Sequence, residues 1–140
     1  MNGTYAMRDL IVEYAEWGVR NAAAIHYSQN QAARVAALGQ PRKLPQATDC
    51  SGFATNAYKA TGAPNPNTKD GSWPTGGNTF YTGTMLRCGR EVVKPLPGDL
   101  LLYGPWPGHH VVVFLYVWHG AWIVCSHGSE IGPIRIFQHR

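Results

Sequence analysis

LPGDLLLYGPWPGHHVVVFLYVWHGAWIVCSH, residues 96–127, is the stretch whose reading decides the fold. Its opening Leu96-Pro97-Gly98-Asp99 is a turn that feeds the buried strand Leu100 to Tyr103. A second Pro/Gly turn precedes the apolar run His110 to Val117, and His119 and Gly120 separate that run from Ala121 to His127. Short runs of valine, isoleucine and aromatic residues bounded by turn residues read as adjacent antiparallel strands. Further strands are expected at Glu91 to Val93 and at Ile134 to Gln138.

Working outward from this sheet, the N-terminal half reads as helical. Leu10, Ile11, Tyr14, Trp17 and Gly18 recur at helical spacing, and an alanine-rich segment follows until Gly39 and Pro41 stop it. Helix is expected over residues 5–38, divided in two by a break near Tyr27 and Ser28. Residues 40–48 read as a loop, and Asp49 to Ala60 as another helix ended by Gly62. The Gly-, Pro-, Asn- and Thr-rich residues 62–84 read as a long surface loop whose Trp73, Phe80 and Tyr81 are candidates for a groove wall. Helices followed by an antiparallel sheet make an α+β fold.

With 140 residues the chain is the size of one domain, expected to span 1–140, either alone or as one module of a longer protein. A net charge of +4 favours polyanionic surfaces, but the basic residues are scattered singly, which argues against nucleic-acid binding. Three cysteines, Cys50, Cys88 and Cys125, form an odd set without CxxC spacing, so neither a disulfide framework nor a zinc-finger pattern is expected. Asp9, Glu13 and Glu16 interrupt the apolar residues of the N-terminus, so no signal peptide and no membrane insertion are expected.

The strongest local signal is Thr48-Asp49-Cys50-Ser51-Gly52-Phe53, with Thr48 or Asp49 available to cap the helix that begins at the cysteine. Backbone N–H groups at a helix start favour an anion, so Cys50 is expected to have a lowered thiol pKa and to act as a nucleophile. The same N–H groups suit the oxyanion of an acyl-transfer intermediate. Cys88, in a loop-like segment, and Cys125, within an apolar strand, read as structural.

A thiol nucleophile needs a base, and the base needs a partner that fixes its ring. His109 and His110 open a strand, where alternation sends one to a cleft and the other away. If His119 and Gly120 are the turn residues, paired positions sum to 239, which puts His127 across from Val112 and diagonal to His110. Glu130 is the competing orienter; it falls on the other face by this count unless a bulge near Gly128 reverses it. His26, His119 and His139 read as ordinary surface or turn residues. A zinc site from His109, His110, Cys125 and His127 has suitable ligand types, but adjacent strand residues point apart.

The order of Asp49-Cys50-Ser51-Gly52-Phe53, Pro97-Gly98-Asp99-Leu100, His110-Val111-Val112-Val113 and a histidine on the next strand resembles the NlpC-type cell-wall cysteine peptidases. It is similar in plan to the cysteine, histidine-dependent amidohydrolase/peptidase domains. Tyr27 to Gln29, Thr82 to Thr84 and Ser126 to Glu130 look closest to segments of bacteriophage endolysin peptidase domains. The resemblance covers roughly residues 25 to 130. It implies a papain-like fold, with N-terminal helices packed on a central antiparallel sheet, and catalysis by Cys50, His110 and His127. It further implies Tyr27, Asp49 and Ser51 at the substrate site, no metal or other cofactor, and a monomer acting on bacterial peptidoglycan. The implied location is the host cytoplasm until a holin gives access to the wall. The implied reaction is cleavage of an amide bond in the wall peptide. The alternatives are an N-acetylmuramoyl-L-alanine amidase on the same scaffold and a non-catalytic wall-binding module. The chain departs from the family's pattern in lacking a tyrosine, a tryptophan and paired glycines just before the cysteine.

Overall fold

The computed structural model describes residues 3–74, 79–128 and 132–138. Glu130 and His139 lie outside the described residues. The chain is α+β: helix α1 (Gly3–Arg20), strand β1 (Ile25–Tyr27), helix α2 (Gln31–Gly39), strand β2 (Gln46–Thr48) and helices α3 (Cys50–Ala60) and α4 (Thr82–Leu86) precede strands β3 (Leu100–Tyr103), β4 (His110–Trp118), β5 (Ala121–Ser126) and β6 (Ile134–Gln138). The last four strands form one antiparallel sheet in the order β3-β4-β5-β6.

Local chemistry accounts for the helix ends. Asn30 caps α2 by accepting from Ala33 N–H at 2.9 Å, and Asp49 caps α3 by accepting from Gly52 N–H at 2.9 Å. The Pro-Gly-Asp turn is held by Asp99, which accepts from Leu96 N–H at 2.8 Å and pairs with Arg8 of α1 at 2.6 Å. Gly98 sits there at φ +92°, and Tyr58 of α3 donates to its carbonyl at 2.7 Å. One turn thus ties both long helices to the edge of the sheet.

Alternation sorts β4 into two faces. Val111, Val113 and Leu115 pack with Ile123 and Cys125 against Ile11, Tyr14 and Ala15 of α1 and Phe53, Ala54 and Ala57 of α3. Val112 and Phe114 pack on the other side with Leu101, Tyr103, Val124 and Trp122. Phe53 is the hinge pin of the helix side: it lies 5.5 Å from the Tyr14 ring, and Gly18 leaves it room, since a Cβ there would meet the ring at 2.5 Å.

Several expectations are corrected. The first long helix does not run to residue 26: Asn21 N–H bonds back to Trp17 and Gly18, a short 3-10 turn follows, and Ile25–Tyr27 is a strand paired in parallel with Gln46–Thr48. The β-branched and aromatic residues there fit an extended pairing better than a helix, and the partner, read as loop, is distant in sequence. Glu91 to Val93 is not a strand; these residues are exposed, Val93 fully so, with no apolar face to bury. The loop after α3 contains α4 from Thr82.

Candidate active site

Asp49 places Cys50 at the first position of α3, and the helix start abuts the sheet. The backbone N–H of Val111, the residue after His110, faces the Cys50 sulfur, as do those of Ser51 and of Cys50 itself. These N–H groups draw the thiol pKa down. Burial acts the other way and is the largest influence, Asp49's charge adds to it, and the thiol lies above its ordinary value. The expected lowering at a helix start is therefore reversed: desolvation of the thiolate outweighs the backbone dipoles.

Gly52 shows why the motif carries a glycine. A Cβ at this position would stand 1.9 Å from Thr48 Oγ1 and 3.0 Å from Asp49 Oδ1. Thr48 is fully buried, so its hydroxyl fills the space that a side chain would need.

His110 opens β4 with its ring stacked on Tyr103, centroids 6.3 Å apart, and its Nε2 lies 2.9 Å from Ser126 Oγ. The hairpin turn is where it is expected, with His119 at φ +50° and Gly120 at +78°. Next to it the register follows the sum of 239, as in Tyr116 opposite Ile123. Leu115 is then an extra residue, and beyond it Phe114 faces Val124 and Val113 faces Cys125. Continuing that register puts Ser126 across from Val112 and His127 across from Val111. The expected placement of His127 beside His110 is thereby corrected: a one-residue shift moves it to the opposite face. Ser126 takes the diagonal position instead.

His127 lies on the helix side, with its ring edge-on to Phe53 at 5.7 Å and to Tyr27 at 5.9 Å. Its Nε2 donates to the His26 carbonyl at 3.1 Å. A carbonyl only accepts, so Nε2 carries a proton. Only 1% of His127 is exposed, whereas Tyr27 is 37% exposed at the rim. Cys50 and His127 therefore share the helix side of the sheet, while His110, Tyr103 and Ser126 hold the other side at the strand end.

Asp49 and Ser51, expected at the substrate site, turn inward to Arg34 of α2. Arg34 Nε donates to Asp49 Oδ1 at 2.9 Å, its Nη2 donates to Ser51 Oγ at 3.1 Å and to the Phe80 carbonyl, and its Nη1 donates to Gln31 Oε1 at 2.6 Å. Its guanidinium also covers the Phe80 ring at 4.1 Å. Phe80 is thus buried under a cation and forms no groove wall. Trp73 is also engaged: its indole N–H donates to the Ala63 carbonyl at 2.9 Å, and Lys59 lies over its ring. Sequence reading missed Arg34 and Ser126. Arg34 stands four residues, about one turn, past the Asn30 cap but carried no motif, and Ser126 was visible only as the neighbour of His127.

Among the described residues, no group of three or more His, Cys, Asp or Glu side chains is arranged to hold a metal ion. Of the four residues weighed for zinc, Cys125 points its sulfur to the Ala15 carbonyl at 3.8 Å, and His109 packs over Gly104. Among the described residues, no helix is long and apolar enough to cross a membrane. No protein-family model matches the chain, and neither a curated protein nor a solved structure matches it.

Proposed function

We propose that the chain is a papain-like cysteine hydrolase that cleaves an amide bond in the peptide of bacterial peptidoglycan, with Cys50 as nucleophile and His110 as base. The observation that carries the reading is the thiol at the capped start of α3, set against the backbone N–H of Val111, one residue from His110. The proton of Cys50 passes to the imidazole, and the thiolate adds to the substrate carbonyl. The N–H groups at the start of α3 receive the oxyanion. The C–N bond then breaks as the imidazolium protonates the leaving amine. Water, deprotonated by the imidazole, adds to the thioester and expels the thiolate, leaving a carboxylic acid. Ser126 Oγ, 2.9 Å from His110 Nε2, orients the imidazole in this reading. Tyr27, partly exposed beside His127, is suited to the substrate rim.

The substrate class rests on the order of motifs around Cys50 and His110, and an endolysin-like role at the cell wall follows from the same resemblance. Mass spectrometry of fragments released from purified peptidoglycan tests it. New peptide ends or amines with wild type and none with Cys50→Ala support the hydrolase and identify the bond; no release from several wall types refutes it.

A second reading exchanges the histidines, because His127 and not His110 lies on the side of the sheet where Cys50 packs. Rapid alkylation of Cys50 at neutral pH that is lost in His127→Ala and kept in His110→Ala would establish this second reading. The reverse pattern supports His110.

A further inference from the structure

We propose that Arg34 is the positioning residue of the Cys50 nucleophile, fixing the Asp49 carboxylate as the α3 cap and cancelling its charge beside the thiol. Arg34 is 6% exposed, and apart from Gln31 on its own helix the groups it hydrogen-bonds are the two neighbours of Cys50 and the loop end at Phe80. Asp49 precedes the cysteine and Ser51 follows it, so one guanidinium grips both neighbours of the nucleophile. Gln31, one turn back on α2, holds Nη1, and the Phe80 carbonyl and ring close the remaining side. The planar fork of arginine satisfies these directions at once, which a lysine ammonium does not.

The electrostatic consequence is specific. Asp49 Oδ1 already accepts from Gly52 N–H at 2.9 Å and from Ser51 Oγ at 3.3 Å, so the carboxylate is anchored at the helix start whatever its charge does to the thiol. Asp49's charge opposes ionisation of Cys50. Arg34, 2.9 Å from the same oxygen, offsets that charge. Among the described residues, the other ionisable groups gathered near the start of α3 are Tyr27 on β1, His110 at the start of β4 and His127 just after β5. Arg34 is the permanent cation among these. Asparagine caps a helix as well as aspartate does, so Asp49→Asn removes the charge and keeps the cap.

The test is the pH dependence of iodoacetamide modification at Cys50, followed by peptide mass spectrometry in the whole chain, for wild type, Arg34→Met, Asp49→Asn and the double variant. Arg34→Met is expected to move the half-point of alkylation upward by about one pH unit or more, because an unpaired carboxylate then adjoins the thiol. Asp49→Asn is expected to move it down, and the double variant to return it close to wild type. Arg34→Lys, which keeps the charge, is expected to stay near wild type while showing easier proteolytic cutting near Phe80. An unchanged half-point in Arg34→Met, or a shift that Asp49→Asn does not reverse, overturns the proposal in favour of a purely structural arginine. If Arg34→Met does not fold, Asp49→Asn decides alone: no downward shift overturns it. The inference uses the nucleophile reading only for its effect on activity. Absent wall cleavage by wild type with the titration shifts intact would defeat the hydrolase and leave the Arg34 coupling standing; normal cleavage without the shifts would do the opposite.

Discussion

Gly52→Ala is the substitution that most directly probes why Cys50 sits where it does. The new methyl would enter 1.9 Å from Thr48 Oγ1, 3.0 Å from Asp49 Oδ1 and 3.2 Å from Thr48 Cβ. Thr48 is 0% exposed, so its hydroxyl has no outward path. Overpacking of this kind costs about 1–3 kcal/mol, while alanine in place of glycine returns up to about 1 kcal/mol of helix propensity. The net loss is about 1–2 kcal/mol, which for a chain of this size lowers the melting temperature by roughly 3–8 °C. Thr48→Ala removes the clashing oxygen, and that hydroxyl has no hydrogen-bond partner among the described residues, so its removal forfeits no bond. The two changes should therefore couple favourably by about 1–2 kcal/mol in a double-mutant cycle. Thermal and urea unfolding of the four proteins measures this, and Cys50 alkylation in Gly52→Ala reports whether the nucleophile has moved. A Gly52→Ala protein that melts at or above wild type, or a cycle that is additive, would refute the steric account and leave only propensity.

Other outcomes follow from the same geometry. Cys50→Ala is expected to abolish fragment release from peptidoglycan while circular dichroism stays that of wild type; retained release would sink the assignment. Ser126→Ala removes the 2.9 Å contact to His110 Nε2 and is expected to slow cleavage by about tenfold, the kinetic equivalent of one hydrogen bond; an unchanged rate would show that Ser126 does not hold the base. Burial pushes the Tyr14 and Tyr58 hydroxyls well above the ordinary tyrosine value of 10.0. Both stay protonated in the fold while the unfolded chain ionises, so their contribution is fully present below pH 10 and is lost as pH rises beyond it, by about 1.4 kcal/mol per pH unit for each group. Urea unfolding between pH 9 and about 11.5 should show this slope, and Tyr58→Phe should remove its own share of about 1.4 kcal/mol per pH unit.

What the sequence by itself determined is local or repetitive in origin. The turn residues Pro97-Gly98-Asp99 and His119-Gly120, the apolar strand runs and the Asp49 cap each act within a few residues, so the sheet, its antiparallel order and Cys50 at a helix start were legible. The parallel pairing of Ile25–Tyr27 with Gln46–Thr48 joins segments about twenty residues apart, and neither announces the other. Tertiary structure also decided the faces. One extra residue at Leu115 changes every partner beyond it, which exchanged His127 for Ser126 beside His110. The sign of the Cys50 shift was likewise a property of packing, because burial depends on what covers the helix start while the dipole depends only on the helix. Arg34 illustrates the limit most sharply: its partners Asp49, Ser51 and Phe80 lie 15, 17 and 46 residues away, and only the folded chain gathers them around one guanidinium.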